Sequence, residues 1–148
     1  MPVHATDPKV LQLKELPIFA SLRVKQLSMM AANLDFAVIE ERQVMMTAGR
    51  HNDAFWIILK GRVELTIGGR VGEQLGPGDL FGLPSMFAGR DSTADAVALT
   101  EVEALVASHQ QFNILVGDPE IAIRFKAAVF DRLRDEVYQL TRTSAAGH

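Results

Sequence analysis

The middle of the chain contains a stretch rich in turn-forming residues, Leu75-Gly76-Pro77-Gly78-Asp79-Leu80-Phe81-Gly82. Glycine adopts positive φ readily and lets another backbone approach closely, so Gly76, Gly78 and Gly82 predict tight turns. Asp79 predicts a turn side chain that accepts a hydrogen bond from a nearby amide. The stretch therefore indicates a sharp change of direction between neighbouring apolar segments.

Short apolar segments extend on both sides of this stretch, from Phe36 to about Val106. They are rich in Val, Ile, Phe, Leu and Thr, and glycines separate them at short intervals. This pattern predicts an antiparallel sandwich or barrel, with a tight hairpin turn at Gly68-Gly69. The predicted strands lie near residues 36–39, 42–47, 54–60, 62–67, 71–75, 95–99 and 102–106.

Helical patterns flank the β region at both ends of the chain. Asp7-Pro8 pairs an N-cap residue with proline at the first helical position, and Pro17 ends that helix. Ser21 predicts the cap of a second helix, and Gly117-Asp118-Pro119-Glu120 predicts the start of a long one that runs to about Leu140. The fold class is therefore mainly β with flanking helices (α+β), an antiparallel β-roll or jelly roll of about eight strands.

Length, charge and cysteine content narrow the classes of protein. A chain of 148 residues predicts one domain, residues 1–148. Its 15 basic and 18 acidic residues give a net charge of −3, so no bulk positive field draws nucleic acid or an anionic membrane. The absence of cysteine excludes disulfides, thiolate zinc sites and cysteine nucleophiles. With neither a signal-peptide pattern nor an apolar run of ~18 residues, we expect a cytoplasmic protein without membrane binding.

Candidate catalytic residues are sparse. The four histidines form no H-x-H or H-x-x-x-H pair, which disfavours a metal enzyme of the cupin type. No G-x-S-x-G nucleophile elbow is present either. We expect a non-enzymatic protein with no metal site, and a cupin-like enzyme stays as the weakest alternative. The histidines are His4, His51, His109 and His148.

The central stretch resembles the L-x-x-G-D-x-F-G turn of cyclic nucleotide-binding domains, the family of catabolite activator proteins and of the regulatory subunits of cyclic-AMP-dependent kinase. Leu16-Pro17-Ile18-Phe19, the core from Gly49 to Val63, and Phe112 follow in the family's order. The match covers about residues 13–140. The resemblance implies N-terminal helices within 7–34, a β-roll over 36–112 with a phosphate-binding cassette at 78–97, and a closing helix at 118–141.

The cassette departs from the family's pattern at two positions. The family's F-G-E-x-A-L reads Phe81-Gly82-Leu83-Pro84-Ser85-Met86 here, and its P-R-x-A-x-V reads Asp91-Ser92-Thr93-Ala94-Asp95-Ala96. The resemblance implies that the glutamate accepts a hydrogen bond from the ribose 2′-hydroxyl and that the arginine pairs with the cyclic phosphate. Leu83 and Ser92 replace them. Losing both contacts would weaken binding by a factor on the order of a hundred to several thousand.

Some polar groups remain for a ligand. Pro84 suits the first position of a short helix whose N-terminal amides can face an anion. Arg90 could bring its guanidinium to the phosphate position, or it could be a solvated loop charge. Ser85, Ser92 and Thr93 could serve the ligand or bond to the local backbone. The candidate ligand-binding residues are Phe81, Gly82, Leu83, Pro84, Ser85, Arg90, Ser92, Thr93 and Ala94.

The leading hypothesis is a ligand-sensing regulatory module of signal transduction, with impaired or altered cyclic nucleotide recognition. A small anionic ligand is the expected partner, and cyclic AMP or cyclic GMP is one possibility for it. The alternative from another class is a ligand-free module on the same fold that binds a protein partner.

The closing helix suggests an assembly and argues against DNA binding. Its apolar stripe predicts either packing on the β-roll or the seam of a homodimer. Only Thr141 to His148 follow that helix, too few for a helix-turn-helix, so we expect no direct DNA binding. The stripe consists of Phe130, Leu133, Val137 and Leu140.

Overall fold

A computed structural model describes residues 7–131 of the chain. Within this range, helices flank a region of eight strands. Before the strands come α1 (Pro8–Lys14) and α2 (Val24–Ala32). The strands are β1 (Asp35–Ile39), β2 (Val44–Met46), β3 (Ala54–Lys60), β4 (Val63–Ile67), β5 (Arg70–Leu75), β6 (Leu80–Phe81), β7 (Ala94–Ala98) and β8 (Val102–Ser108). The other helices are α3 (Leu83–Ala88), α4 (His109–Leu115) and α5, which covers 119–131 of the described residues.

The strands form two antiparallel sheets of four strands each. Sheet I has the order β1-β8-β3-β6, and sheet II has the order β2-β7-β4-β5. Strands β4 and β5 meet in a hairpin at Gly68 and Gly69, whose φ angles are 60° and 77°. Two consecutive positive φ values are what a tight turn between twisted strands needs. The predicted antiparallel β-roll of about eight strands with flanking helices is confirmed.

The N-terminal helices form as predicted, except that α1 ends at Lys14, ahead of Pro17, and that α2 starts later than Ser21 predicts. The Asp7 carboxylate accepts a hydrogen bond from the Lys9 amide at 2.8 Å, and Pro8 follows it at the first helical position. The predicted Ser21 cap is wrong, because a turn continues past that residue and α2 begins only after Arg23. The backbone N–H of Leu22 donates to the carbonyl of Phe19 in that turn, which buries both side chains. The Ser21 hydroxyl instead accepts a hydrogen bond from Arg124 Nη2 at 2.6 Å.

Aromatic rings fill the space between sheet I and the helices. We call this cluster the helix-side core; it combines residues of sheet I, among them Phe55, Ile57, Leu105 and Ala107, with buried residues of the described helices and of the turn between α1 and α2. The rings of Phe19 and Phe55 each pack edge-on against Phe125, with centroids 6.1 Å and 5.1 Å apart. Edge-to-face aromatic pairs add about 0.5–1.5 kcal/mol beyond their burial, so this face of sheet I is tightly held.

The space between the two sheets holds a second cluster, the inter-sheet core. Every strand contributes at least one residue to it. All its members from β7 and one of its two members from β8 are alanines, which leave more room than large side chains would. These small residues are Ala94, Ala96, Ala98 and Ala104.

Helix α5 begins where the sequence predicts and shows two different faces. The Asp118 carboxylate accepts hydrogen bonds from the amides of Glu120 and Ile121, at 2.9 and 3.1 Å. One face buries Ile121 and Phe125 in the helix-side core. The opposite face leaves Ile123 58% and Phe130 72% exposed, so these two do not pack on the β-roll. The predicted continuation to residue 141, with Leu133, Val137 and Leu140, lies outside the described residues.

Helix α4 is absent from the prediction, although its sequence signal is clear. Ser108 caps it, with the hydroxyl accepting from the Gln111 amide at 3.2 Å and the Gln111 side chain accepting from the Ser108 amide at 2.8 Å. This reciprocal pair is a capping box.

Across residues 7–131, no helix is long and apolar enough to cross a membrane.

Candidate functional site

The turn that opens the cassette is held by its glycines and by one aspartate. Asp79 accepts a hydrogen bond from the Gly76 amide at 2.8 Å, as predicted. Gly78 and Gly82 have φ angles of 91° and 93°, in the left-handed region. A Cβ atom on Gly82 would lie 2.6 Å from the carbonyl oxygen of Ala54, and this distance is too short for any residue with a side chain. Gly82 therefore lets the cassette lie directly against β3.

Helix α3 follows Gly82 and supplies less to an anion than its sequence suggests. Gly82 is the N-cap, so Leu83 occupies the first helical position and Pro84 the second. The prediction that Pro84 stands first is wrong by one residue. Proline has no backbone N–H, and the second position is one whose N–H would otherwise be free for an anion. The helix has only six residues, so the field at its end is that of little more than one turn.

A buried asparagine that the sequence analysis missed holds α3 in place. Asn52, 8% exposed, donates from Nδ2 to Ser85 Oγ and to the Ala54 carbonyl, each at 2.8 Å. The Ser85 hydroxyl donates in turn to the Gly82 carbonyl at 3.1 Å. The Ser85 hydroxyl is therefore committed to the protein. Asn52 follows His51 in a polar turn, and nothing in the sequence distinguishes it from an exposed turn residue.

Ser92, at the position that the resemblance gives to arginine, is also committed to the backbone. Its hydroxyl donates to the Ala94 carbonyl at 2.8 Å and accepts from the Ala94 amide at 3.1 Å. Its own amide donates to the carbonyl of Arg50, and its carbonyl accepts from the amide of Gly49. The side chain is 5% exposed. Of the two roles left open for Ser92, bonding to the local backbone is the one this geometry fits.

A cavity of about 230 Å³ lies where the inter-sheet core meets α3 and α5. It brings together all but one of the candidate ligand-binding residues. Those that line it are Phe81, Gly82, Leu83, Pro84, Ser85, Ser92, Thr93 and Ala94. The sequence analysis did not include the other lining residues, which are Met46, Leu65, Ile67, Leu80, Ala128 and Val129.

The cavity lining contains no charged side chain among the described residues. Leu83, 2% exposed, presents an apolar side chain at the position where the resemblance places a glutamate. Arg90 does not line the cavity; it is exposed at the end of α3, where its amide donates to the Ser85 carbonyl at 3.3 Å. Within residues 7–131, no group of three or more His, Asp or Glu side chains is placed to hold a metal ion.

Comparison with known proteins identifies the sequence pattern and the fold. The sequence model described as "Cyclic nucleotide-binding domain" matches residues 37–118. A cAMP-dependent protein kinase regulatory subunit of Yarrowia lipolytica is 29% identical over 107 residues, which are 71% of this chain. The match spans only 28% of that relative's length.

Two solved structures have the same fold as this chain. The catabolite activator protein of Thermus thermophilus superimposes with a TM-score of 0.73 at 25% identity, over 86% of this chain and 63% of that one. The N-terminal domain of a transcriptional regulator from Streptomyces coelicolor A3(2) gives a TM-score of 0.63 at 29% identity, over 86% and 92%.

Proposed function

This chain belongs to the cyclic nucleotide-binding domain family, and on that premise we propose a non-enzymatic, ligand-sensing regulatory module that binds cyclic AMP and cyclic GMP weakly or not at all. The observation that supports this is that the described lining of the cavity carries no charged side chain and has Leu83 and Ser92 in its wall. We place the module in signal transduction in the cytoplasm.

The argument for weak binding rests on the cost of moving an anion out of water. A cyclic phosphate carries one negative charge, and its transfer into an apolar cavity is unfavourable unless charges or several donors replace the water. Ser92 cannot supply a positive charge, and its hydroxyl already bonds to Ala94. Leu83 has no acceptor for a ribose hydroxyl. Buried ligand groups left without partners cost roughly 1–3 kcal/mol each.

Arg90 is not expected to replace the missing arginine. Its side chain is exposed and outside the cavity lining, which supports the interpretation as a solvated loop charge. Arg90→Ala should therefore leave any weak anion binding unchanged. Calorimetric titration of this variant with cyclic AMP, beside the wild type, checks the point. Loss of binding in the variant would show that Arg90 reaches the phosphate.

Titration of the unmodified chain with cyclic AMP and cyclic GMP tests the proposal itself. We expect dissociation constants no tighter than about 100 μM, since each ~1.4 kcal/mol of missing contact energy weakens binding tenfold. Thermal melting with each nucleotide gives an independent reading, because a ligand at about 100 times its Kd adds ~2.7 kcal/mol to the free energy of unfolding. Sub-micromolar binding of either nucleotide would refute the proposal.

We also propose a homodimer of this chain, and the exposed outer face of α5 supports it. Ile123 and Phe130 are 58% and 72% exposed, which is unusual for large apolar side chains on one helix face. We propose that this face, extended by Leu133, Val137 and Leu140 of the sequence, forms a homodimer seam. Sedimentation should show a dimer at tens of micromolar, a concentration suited to weak dimers. A monomer there would contradict the seam.

We further propose that this chain alone does not bind DNA. Its net charge of −3 gives no bulk positive field that would attract the phosphate backbone. A salt-sensitive, sequence-specific gel shift with the pure chain would contradict this.

A further inference from the structure

We propose that the cavity selects an uncharged, mainly apolar small molecule, a ligand class different from cyclic nucleotides. The inference rests on the proposed function, because it takes the cavity as the ligand site of a sensing module. It goes further by naming the chemistry of the ligand that the cavity holds in place of a nucleotide.

Every strand and helix that contributes to the wall of the cavity supplies at least one apolar side chain. Strand β4 supplies Leu65 and Ile67, α3 supplies Leu83, β7 supplies Ala94, and α5 supplies Val129. Contact with such a wall favours a ligand in proportion to the apolar area that both remove from water. A charged ligand would lose its hydration there without gaining a counter-charge from any described lining residue.

The hydroxyls of the two serines in the wall are already used by the protein. The Ser85 hydroxyl bonds to Asn52 and to the Gly82 carbonyl, and the Ser92 hydroxyl bonds twice to Ala94. Thr93 is the remaining polar side chain of the described lining, and it is exposed to solvent. Among the described lining side chains, Thr93 is therefore the one that can bond to a polar substituent of the ligand, and the other side chains favour an apolar body.

The size of the cavity limits the apolar body. An apolar cavity of about 150 Å³ binds one benzene ring, and this cavity measures about 230 Å³. This is about one and a half times the volume that holds one benzene ring, so a body of one to two fused rings, or an aliphatic chain of similar volume, fits. Phenylnaphthylamine is an uncharged probe whose naphthyl rings match this body and whose phenyl ring would lie at the exposed rim formed by Pro84 and Thr93. Anilinonaphthalene sulfonate has the same ring skeleton with one negative charge added. This pair isolates the effect of charge at nearly constant shape.

The protein carries its own reporter for this cavity. Trp56 is the only tryptophan in the sequence. Its ring stacks on that of Phe81, with centroids 4.9 Å apart and planes inclined by 12°, and Phe81 lines the cavity. A naphthyl probe in the cavity would therefore lie within a few ring diameters of Trp56 and would quench its fluorescence by energy transfer.

The test is a titration of both probes, followed through Trp56 and through probe emission. We expect saturable binding of one phenylnaphthylamine per chain, and binding of the sulfonate at least about tenfold weaker, equivalent to ~1.4 kcal/mol. Leu83→Glu introduces a carboxylate into the wall and should weaken phenylnaphthylamine at least about tenfold. Val38→Glu is the matched control, since Val38 is 54% exposed on β1 and outside the lining. It should bind like the wild type.

A second variant guards against misfolding of Leu83→Glu. Ala128→Leu enlarges a half-buried lining residue on a helix without adding charge, and it should weaken phenylnaphthylamine by filling the space. Equal affinity for the two probes would overturn the proposal, and so would equal binding by the Ala128→Leu and Val38→Glu variants, or no binding of phenylnaphthylamine to the wild type.

These outcomes are separate from failure of the proposed function. Tight binding of cyclic AMP by the wild type would refute the proposed function, whatever the probes do. Weak cyclic AMP binding together with no uncharged-probe binding would leave the proposed function standing and refute only the apolar-ligand inference.

Discussion

The two faces of sheet I differ in what fills them. On the helix side, Phe19, Phe55 and Phe125 pack ring against ring and are each 0% exposed. Between the sheets, β7 contributes only alanines to the core, and a cavity of about 230 Å³ remains at the edge. The helix face of sheet I therefore stabilises the fold through dense packing, whereas its other face borders a cavity.

The largest loss of stability is expected when an aromatic ring is removed from the helix-side core. Phe55→Ala removes a ring that contacts both Phe112 and Phe125, and it should lower the free energy of unfolding by about 3–5 kcal/mol. Urea denaturation monitored by Trp56 fluorescence and by circular dichroism measures this. Phe130→Ala is the control, because its exposed ring should contribute less than about 0.5 kcal/mol to folding of the monomer. Similar losses in the two variants would mean that the helix-side core is not the main source of stability.

The second-largest loss of stability is expected when the hydrogen bonds that hold α3 beside the cavity are removed. Asn52→Ala leaves the buried Ser85 hydroxyl and the Ala54 carbonyl without their donor. Each such group costs about 1–3 kcal/mol, so the loss in stability should be at least about 2 kcal/mol. Asn113→Ala, at an exposed position of α4, provides the reference. A loss no greater than that of the reference would show that α3 is held by packing alone.

A matched pair of enlargements sharpens the contrast between the two faces. Ala107→Val adds two methyl groups to the filled helix-side core and should cost about 1–3 kcal/mol. Ala94→Val adds the same groups at the cavity wall, where they occupy free space, and should be neutral or stabilise the protein by up to about 1 kcal/mol. Both residues lie in strands, so β propensity changes alike. Equal destabilisation in thermal and urea unfolding would mean that the cavity collapses in solution.

The sequence predicts those features that depend on local residue chemistry. The positive φ angles at Gly78 and Gly82, the hydrogen bond of Asp79 and the cap at Asp118 all follow from residue type. The short apolar segments separated by glycines predict most strands to within about two residues. The predicted start of α2 is wrong, because burial of Phe19 and Leu22 in a turn overrides the local preference of Ser21 for a cap position.

The candidate site was harder to predict, because its properties arise from long-range contacts. In the sequence, Ser85 and Ser92 are isolated polar residues without visible partners. Only the folded chain shows that the Ser85 hydroxyl bonds to Asn52 and the Ser92 hydroxyl to Ala94. The contributions of Leu65 and Ile67 come from another strand pair, far from the cassette in sequence. The local sequence pattern identifies the cassette, but it does not identify the residues from other elements that complete the cavity wall.

The most direct test of the central claim is a calorimetric cycle with cyclic AMP on the wild type, Leu83→Glu, Ser92→Arg and the double variant. Each protein is first shown to be folded by urea unfolding, because Ser92→Arg also removes two hydrogen bonds to Ala94. We expect weak or no binding by the wild type, and a gain on the order of a hundredfold or more in the double variant, with smaller gains in the single ones. Sub-micromolar binding by the wild type, or a folded double variant that binds no better than the wild type, would contradict the account.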